Sequence, residues 1–424
     1  MPTPPPFAPE GASLGRCRTC SRQLFSVLNL GEMSLPWFPA GDEPVPTAPL
    51  HLCVCDGCAL VQLSDTVDPA LLYKQYWYRS GINEAMRAEL TSVVQAALLD
   101  VSVFPQDLVI DIGANDGYLL SQYPKQRAHW EATRVGFEPA QNLREHCAAA
   151  CEVLVPNFFP PVRDMLPGVF NRAKIITAIA MFNHVDDPRR FVQAINGCLH
   201  EDGVWIVQFQ DLGQQVEATA VDNICHEHVT YWSLASFVWF LERAAPELHV
   251  THVERRLING GSLRIHVRRI SFPVDETVED LLQEEAHSVG WQALERFAWQ
   301  AAETKRQIFA AVDAAHRAGQ TIDLYGASTK ANTLLQYCGL GPTHIRQAWE
   351  RNTEKFGRRT ATGIPIVGEE VGRYEDPPDL LLAGIWQFRA TILEREHAFL
   401  TAGGGILFPL PEVDLVRGDA PATL

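Results

Sequence analysis

The chain has 424 residues, 46% of them hydrophobic, which is material for two or three cores rather than one. Its formal net charge of −16, with no basic stripe, argues against nucleic-acid binding. No run approaches the roughly eighteen apolar residues of a membrane span, and the start, Met1 to Pro6, lacks the basic region and apolar core of a secretory signal. A cytoplasmic protein is expected, with no membrane contact and no evident protein partner. Ten cysteines fit a reducing compartment, four of them on metal and the others mostly buried thiols.

The first ten residues read as a disordered lead-in. Residues 17 to about 65 are short, turn-rich and irregular, a piece that needs a metal to make up for its small core. Residues 66–104 look helical after Asp65 and contain the aromatic cluster Tyr73, Tyr76, Trp77 and Tyr78. From 108 to 210 strands and helices alternate. Leu108–Ile112, Arg134–Phe137, Lys174–Ile179 and Val204–Phe209 are apolar runs suited to buried parallel strands, and Asp187-Pro188 opens a helix. Residues 278–318 read as one long helix or two in tandem. A second α/β unit follows, with strands at Thr321–Ala327, Ile345–Glu350, Leu380–Trp386 and Gly405–Pro409 and helices at Lys330–Tyr337 and Ile392–Leu400. The expected division is a zinc module over 1–70, a Rossmann-like domain over 71–272 and a second Rossmann-like domain over 273–424.

Cys17-x2-Cys20 and Cys55-x2-Cys58 are two CxxC pairs with 34 residues between them. Each CxxC turn presents two sulfurs to one point, and two such turns supply a tetrahedral zinc. Four thiolates leave no open position, so the ion is structural. Cys53 is a weaker candidate, because Cys53-x-Cys55 does not copy the spacing of the first pair.

Asp111-x-Gly113-x-Asn115-Asp116-Gly117 follows an apolar strand directly, and glycine there permits close backbone approach to a ligand. Glu138 ends the next strand, about 20 residues on, where an acid accepts both hydroxyls of a ribose. The turn lacks GxGxxG, which favours S-adenosylmethionine over NAD. His226-Glu227-His228 lacks the spacing of an HExxH metal site, so a histidine general base oriented by its neighbouring carboxylate is the better reading. Asn259-Gly260-Gly261-Ser262-Leu263-Arg264 offers amides, a hydroxyl and a guanidinium to a phosphate or sugar oxygen. Gly326-Ala327-Ser328-Thr329-Lys330 follows a strand and opens a helix, a second anion-binding turn.

Taken in order, these motifs resemble the three-domain S-adenosylmethionine-dependent sugar C-methyltransferases, over nearly the whole chain from Cys17 to about Val416. Also similar are Tyr76-x-Tyr78-x-Ser80-Gly81, Phe182-Asn183-His184-Val185-Asp186-Asp187, Asn332-Thr333, Glu350-Arg351-Asn352 with Lys355, and Gly363-Ile364-Pro365-Ile366. The resemblance implies methylation of a nucleotide-linked keto-deoxysugar through an enolate. His228 would be the base, with Glu227, His184, Tyr76 and Tyr78 assisting. The cofactor would lie on Ser80, Asp111, Gly113, Asn115, Asp116, Gly117, Glu138, Pro139 and Asn157. The acceptor would meet Cys225, Asn259, Gly261, Ser262, Arg264, Lys330, Asn332, Thr333, Glu350 and Arg351. Cys225 stands where the family often has tyrosine, and Asn259 where histidine is common. An O- or N-methyltransferase of the same fold, or a C-methyltransferase with a non-sugar acceptor, is the alternative.

Overall fold

A computed structural model describes residues 14–73, 75–124, 132–160 and 171–418 of the chain; the proline-rich lead-in of the first ten residues lies outside them. Three sheets organise it. The first is antiparallel and holds β1 (Leu24–Ser34), β2 (Thr47–Cys55) and β3 (Val61–Leu63). The second has seven strands. β4 (Leu108–Ile112) is buried at every residue, so apolar side chains are needed on both faces and the strand sits mid-sheet. β5 (Thr133–Phe137) and β6 (Val153–Val155) lie in parallel on one side of it, with β7 (Ala173–Ile179) and β8 (Leu199–Gln210) on the other. β10 (Leu248–Arg256) and β11 (Ser262–Arg269) finish that edge, β11 antiparallel to both its neighbours. The order β10-β11-β8-β7-β4-β5-β6 reverses direction at β4. A crevice therefore opens at the carboxyl ends of β4, β5 and β7.

The third sheet repeats the device. β12 (Ile322–Tyr325) is flanked by β13 (Ala348–Glu350) and then β14 (Ile366–Gly368) on one side. On the other lie β15 (Leu380–Ala383), β16 (Gly405–Phe408) and the antiparallel β17 (Asp414–Arg417). The first turns of the two parallel units match in detail. Gly113 and Ala114 both donate their amides to the Phe137 carbonyl, and Gly326 and Ala327 donate theirs to that of Trp349. Both leading glycines have positive φ, +71° and +93°. A side chain at Gly326 would also meet Ile385 at 2.8 Å.

The connector is two helices, Glu276–Ser288 and Trp291–Arg317, interrupted at Val289-Gly290. Among the described residues of 66–104, α-helix after Asp65 is confined to Pro69–Tyr73 and Glu84–Asp100, the latter capped by Asn83, with a 3-10 turn at Ser80–Ile82 between them. Tyr76, Trp77 and Tyr78 lie outside these helices, and side-chain amides take backbone bonds along the segment. Asn142 bonds both the N–H and the carbonyl of Tyr76, and Asn115 bonds the Tyr78 carbonyl and the Ser80 N–H. The Ile392–Leu400 helix is two short ones, Arg389–Arg395 and His397–Thr401, and the strand at 345–350 spans only Ala348–Glu350.

One short strand crosses between sheets. β9 (Thr230–Tyr231) pairs with β3, Tyr231 opposite Val61, so the cysteine-bearing sheet is completed from the middle of the chain. No described helix is long and apolar enough to cross a membrane.

Candidate active site

The four sulfurs of Cys17, Cys20, Cys55 and Cys58 lie within 4.8 Å of one another. The closest pairs are 3.3 Å and 3.6 Å apart. Four thiolates at about 2.3 Å from one ion require separations near these, so the donor set fits zinc. Gln62, fully buried, donates its Nε2 to Cys17 Sγ at 3.1 Å, and the Gly57 amide points at Cys55 Sγ. Cys53 faces elsewhere, toward the His51 carbonyl.

A cavity of about 1120 Å³ joins the crevices of the two parallel sheets. On the first, Glu138 is 5% exposed. Its oxygens accept from the Asn115 amide at 2.8 Å and the Ala140 amide at 2.7 Å. Burial pushes this carboxyl up to about 7, against the pull of those amides. Each oxygen keeps acceptor capacity for a further donor such as a ribose hydroxyl. Gly113 forms part of the wall, and a Cβ there would lie 3.1 Å from Met181. A buried acid beside a glycine turn at a switch point fits an adenosine cofactor.

Between the crevices stands a stack of rings. His184 lies 5.7 Å from Tyr73 on one face and 5.2 Å from His228 on the other, both nearly parallel. His228 Nδ1 is 2.8 Å from the Asn223 carbonyl oxygen. A carbonyl only accepts, so Nδ1 carries the proton and Nε2 keeps its lone pair. Burial lowers His228 to about 4 and holds His184 well below the usual histidine range. The backbone carbonyl of Asn223, rather than Glu227, orients the ring. Burial instead raises Glu227 to about 8, with Lys355 partly opposing. The rings of Tyr76 and Tyr73 are 5.7 Å apart, and Tyr73 donates its hydroxyl to the Glu227 carbonyl. Tyr78 lines the cavity beside them. His226 turns away and bonds the Ala48 carbonyl in the cysteine-bearing sheet.

Of the residues expected on the cofactor, Ser80, Gly113, Asn115, Glu138, Pro139 and Asn157 line the cavity. Asp111, Asp116 and Gly117 do not. Asp111 is buried, accepts from Thr177 Oγ1 at 2.6 Å and is raised by burial to about 7. Asp116 holds the Gly81 amide. At Gly117 a Cβ would lie 2.6 Å from that of Ala150, so glycine is required for packing.

The acceptor set divides likewise. Asn259, Ser262, Lys330, Glu350 and Arg351 line the cavity. Lys330 is already engaged: its Nζ donates to the Asn259 carbonyl at 2.8 Å. Glu350 receives Lys355 Nζ at 2.8 Å. Arg264 points into the protein, 2% exposed, where it meets Glu89 at 2.6 Å, Glu254 at 2.9 Å and Gln208 at 3.0 Å. Gly261 abuts Gln214. Asn332 donates to the Trp37 carbonyl and accepts from the Ala361 amide, which ties the front module to the third sheet. Cys225 and Thr333 line a separate small pocket behind the His226 loop. No motif pointed to Asn223, while Tyr73 was visible only as one of an aromatic cluster.

The fold and this cavity define an S-adenosylmethionine-dependent methyltransferase with a structural zinc module. Three family models match in succession: a zinc binding domain over residues 17–73, a methyltransferase domain over 82–245, and a C-methyltransferase C-terminal domain over 257–411. In this order the chain carries a zinc binding segment, a methyltransferase domain and a C-methyltransferase C-terminal domain. The C-methyltransferase NovU of Streptomyces niveus is 26% identical across 96% of this chain and 98% of its own. Solved structures similar to it include an S-adenosylmethionine-dependent methyltransferase from Clostridium acetobutylicum (11% identity, 43% of this chain, 92% of that one, TM-score 0.34). Another is a methyltransferase from Aquifex aeolicus (10% identity, 43% and 97%, TM-score 0.31).

Proposed function

We propose that the chain methylates carbon in a nucleotide-linked keto-deoxysugar through an enolate. The observation that carries this reading is the state of His228, a neutral imidazole with Nδ1–H committed to Asn223 and Nε2 free in the shared cavity. S-Adenosylmethionine supplies an electrophilic sulfonium methyl when bound. Carbon is a poor nucleophile until a neighbouring C–H is removed, and a ketone makes that proton acidic. His228 Nε2 takes it. Negative charge then moves to the ketone oxygen, where a hydrogen-bond donor is required. Glu227, kept protonated at neutral pH by burial, and the hydroxyls of Tyr76 or Tyr78 supply one. His184, held between Tyr73 and His228, keeps the base from rotating and excludes water from its face.

The third domain would hold the nucleotide. Arg351 and the Gly326 turn line the far end of the cavity, so binding energy gained there serves to position the reacting carbon. Mass spectrometry of the protein with S-adenosylmethionine and a panel of nucleotide-linked 4-keto sugars tests the reading. A mass gain of one methyl, carbon-linked by NMR, is expected. Methyl transfer only to oxygen or nitrogen would overturn it.

A further inference from the structure

The amino-acid end of S-adenosylmethionine carries a carboxylate, and a buried carboxylate needs a cation. Among the described residues, six Lys and Arg residues line the cavity; besides Arg79 they include Arg190 and Arg351, the latter 3.7 Å from Glu369, and the other three already have close partners. Lys330 is on the Asn259 carbonyl, Lys355 on Glu350, and Arg395 on Glu369 at 2.8 Å. Arg79 differs. It lines the cavity, and its buried Nε has no hydrogen-bond partner. The nearest carboxylates, Asp116 and Glu354, stand off at 3.9 Å and 4.0 Å.

Its backbone is fixed against the cofactor turn. Asn115 donates Nδ2 to the Tyr78 carbonyl and accepts the Ser80 amide, both at 3.0 Å, and Asp116 accepts the Gly81 amide at 3.0 Å. These bonds bracket position 79 on both sides, so the guanidinium is carried by the same turn that would meet the cofactor.

We infer that Arg79 is the clamp for the cofactor's carboxylate. The inference rests on the cofactor and is independent of which acceptor is methylated. Its test is calorimetry on the full-length, zinc-loaded protein with S-adenosylmethionine and its decarboxylated analogue, which lacks only that carboxylate. A charge-assisted hydrogen bond predicts that the wild type prefers the intact cofactor by roughly 10- to 100-fold. Arg79→Gln abolishes that preference and leaves affinity for the analogue unchanged, while Arg79→Lys restores part of it. Equal losses for both ligands would show that Arg79 only shapes the segment, and would overturn the assignment. So would an unaltered preference in the variant. A variant that binds both as the wild type does but loses affinity for a nucleoside diphosphate would move Arg79 to the acceptor, again overturning it.

Discussion

The Nδ1 of His228 lies 2.8 Å from the carbonyl oxygen of Asn223. A main-chain carbonyl cannot take the proton away, so it fixes the tautomer without competing for charge. Replacement of His228 by Asn is expected to lower kcat by roughly 10²–10⁴, the range for a lost general base. Binding of S-adenosylhomocysteine should persist. Exchange of the acceptor's α-proton in D2O isolates the step: wild type exchanges and the variant does not. Full exchange in the variant would transfer the role to His184 or a tyrosine.

The two buried groups predict the pH profile of kcat/KM. His228, lowered to about 4, is a competent base only above that pH, so activity falls as acid protonates it. Glu227, raised to about 8, donates only while protonated, so activity falls as pH rises through 8. A plateau between limbs near 4 and 8 is expected, and Glu227→Gln should remove the alkaline limb. The same shift in His228 makes folding cost more in acid. Its contribution is complete above the unfolded value of about 6.5 and is lost progressively as pH falls toward 4. An alkaline limb that survives in Glu227→Gln would remove Glu227 from the donor role.

The zinc module reaches the His226–His228 loop through several bonds. β3 pairs with β9, the Leu63 amide donates to the Val229 carbonyl, and His226 bonds Ala48. Gln62, which contacts Cys17 Sγ, pairs in register with Thr230, whose hydroxyl donates to the Asn183 carbonyl beside His184. Elemental analysis should find one zinc per chain. Its removal by a chelator should lower α-proton exchange on the order of 10²-fold, the cost of a misplaced group. Binding of S-adenosylhomocysteine should survive, because its turn is built on β4 and β5. Cys55→Ser should reproduce the loss and Cys53→Ser should not.

Arg264 separates packing from recognition. It is enclosed with Glu89, itself 7% exposed; truncation removes the 2.6 Å bond to that carboxylate, which keeps Arg256 at 2.9 Å, and leaves the buried Gln208 oxygen without its donor. Arg264→Ala is expected to destabilise the fold by about 1–3 kcal/mol, read from denaturant unfolding. The KM for the acceptor should be unchanged in whatever folded protein remains. A raised KM with unaltered stability would return Arg264 to the binding site.

Local chemistry was legible in the amino-acid order. The paired CxxC spacing, the buried run of Leu108–Ile112, the glycine turn and Glu138 each depend on neighbours within a few residues or on a repeated unit. They point to the clustered thiols, the central strand and a turn and acid that line the cavity without reference to the rest of the chain. The same holds for the second parallel unit, whose turn at Gly326 repeats that at Gly113. Contacts across long stretches of chain were not legible. Arg264 and Lys330 look alike as cations near glycine turns, yet one is enclosed by Glu89 from 175 residues away and the other lines the cavity. A motif specifies which groups are available, while burial and the arrival of distant partners set their charge and direction. The His228 imidazole is neutral because folding brings the Asn223 carbonyl to its Nδ1, His184 beside its ring and burial around it, and none of these is a property of His-Glu-His.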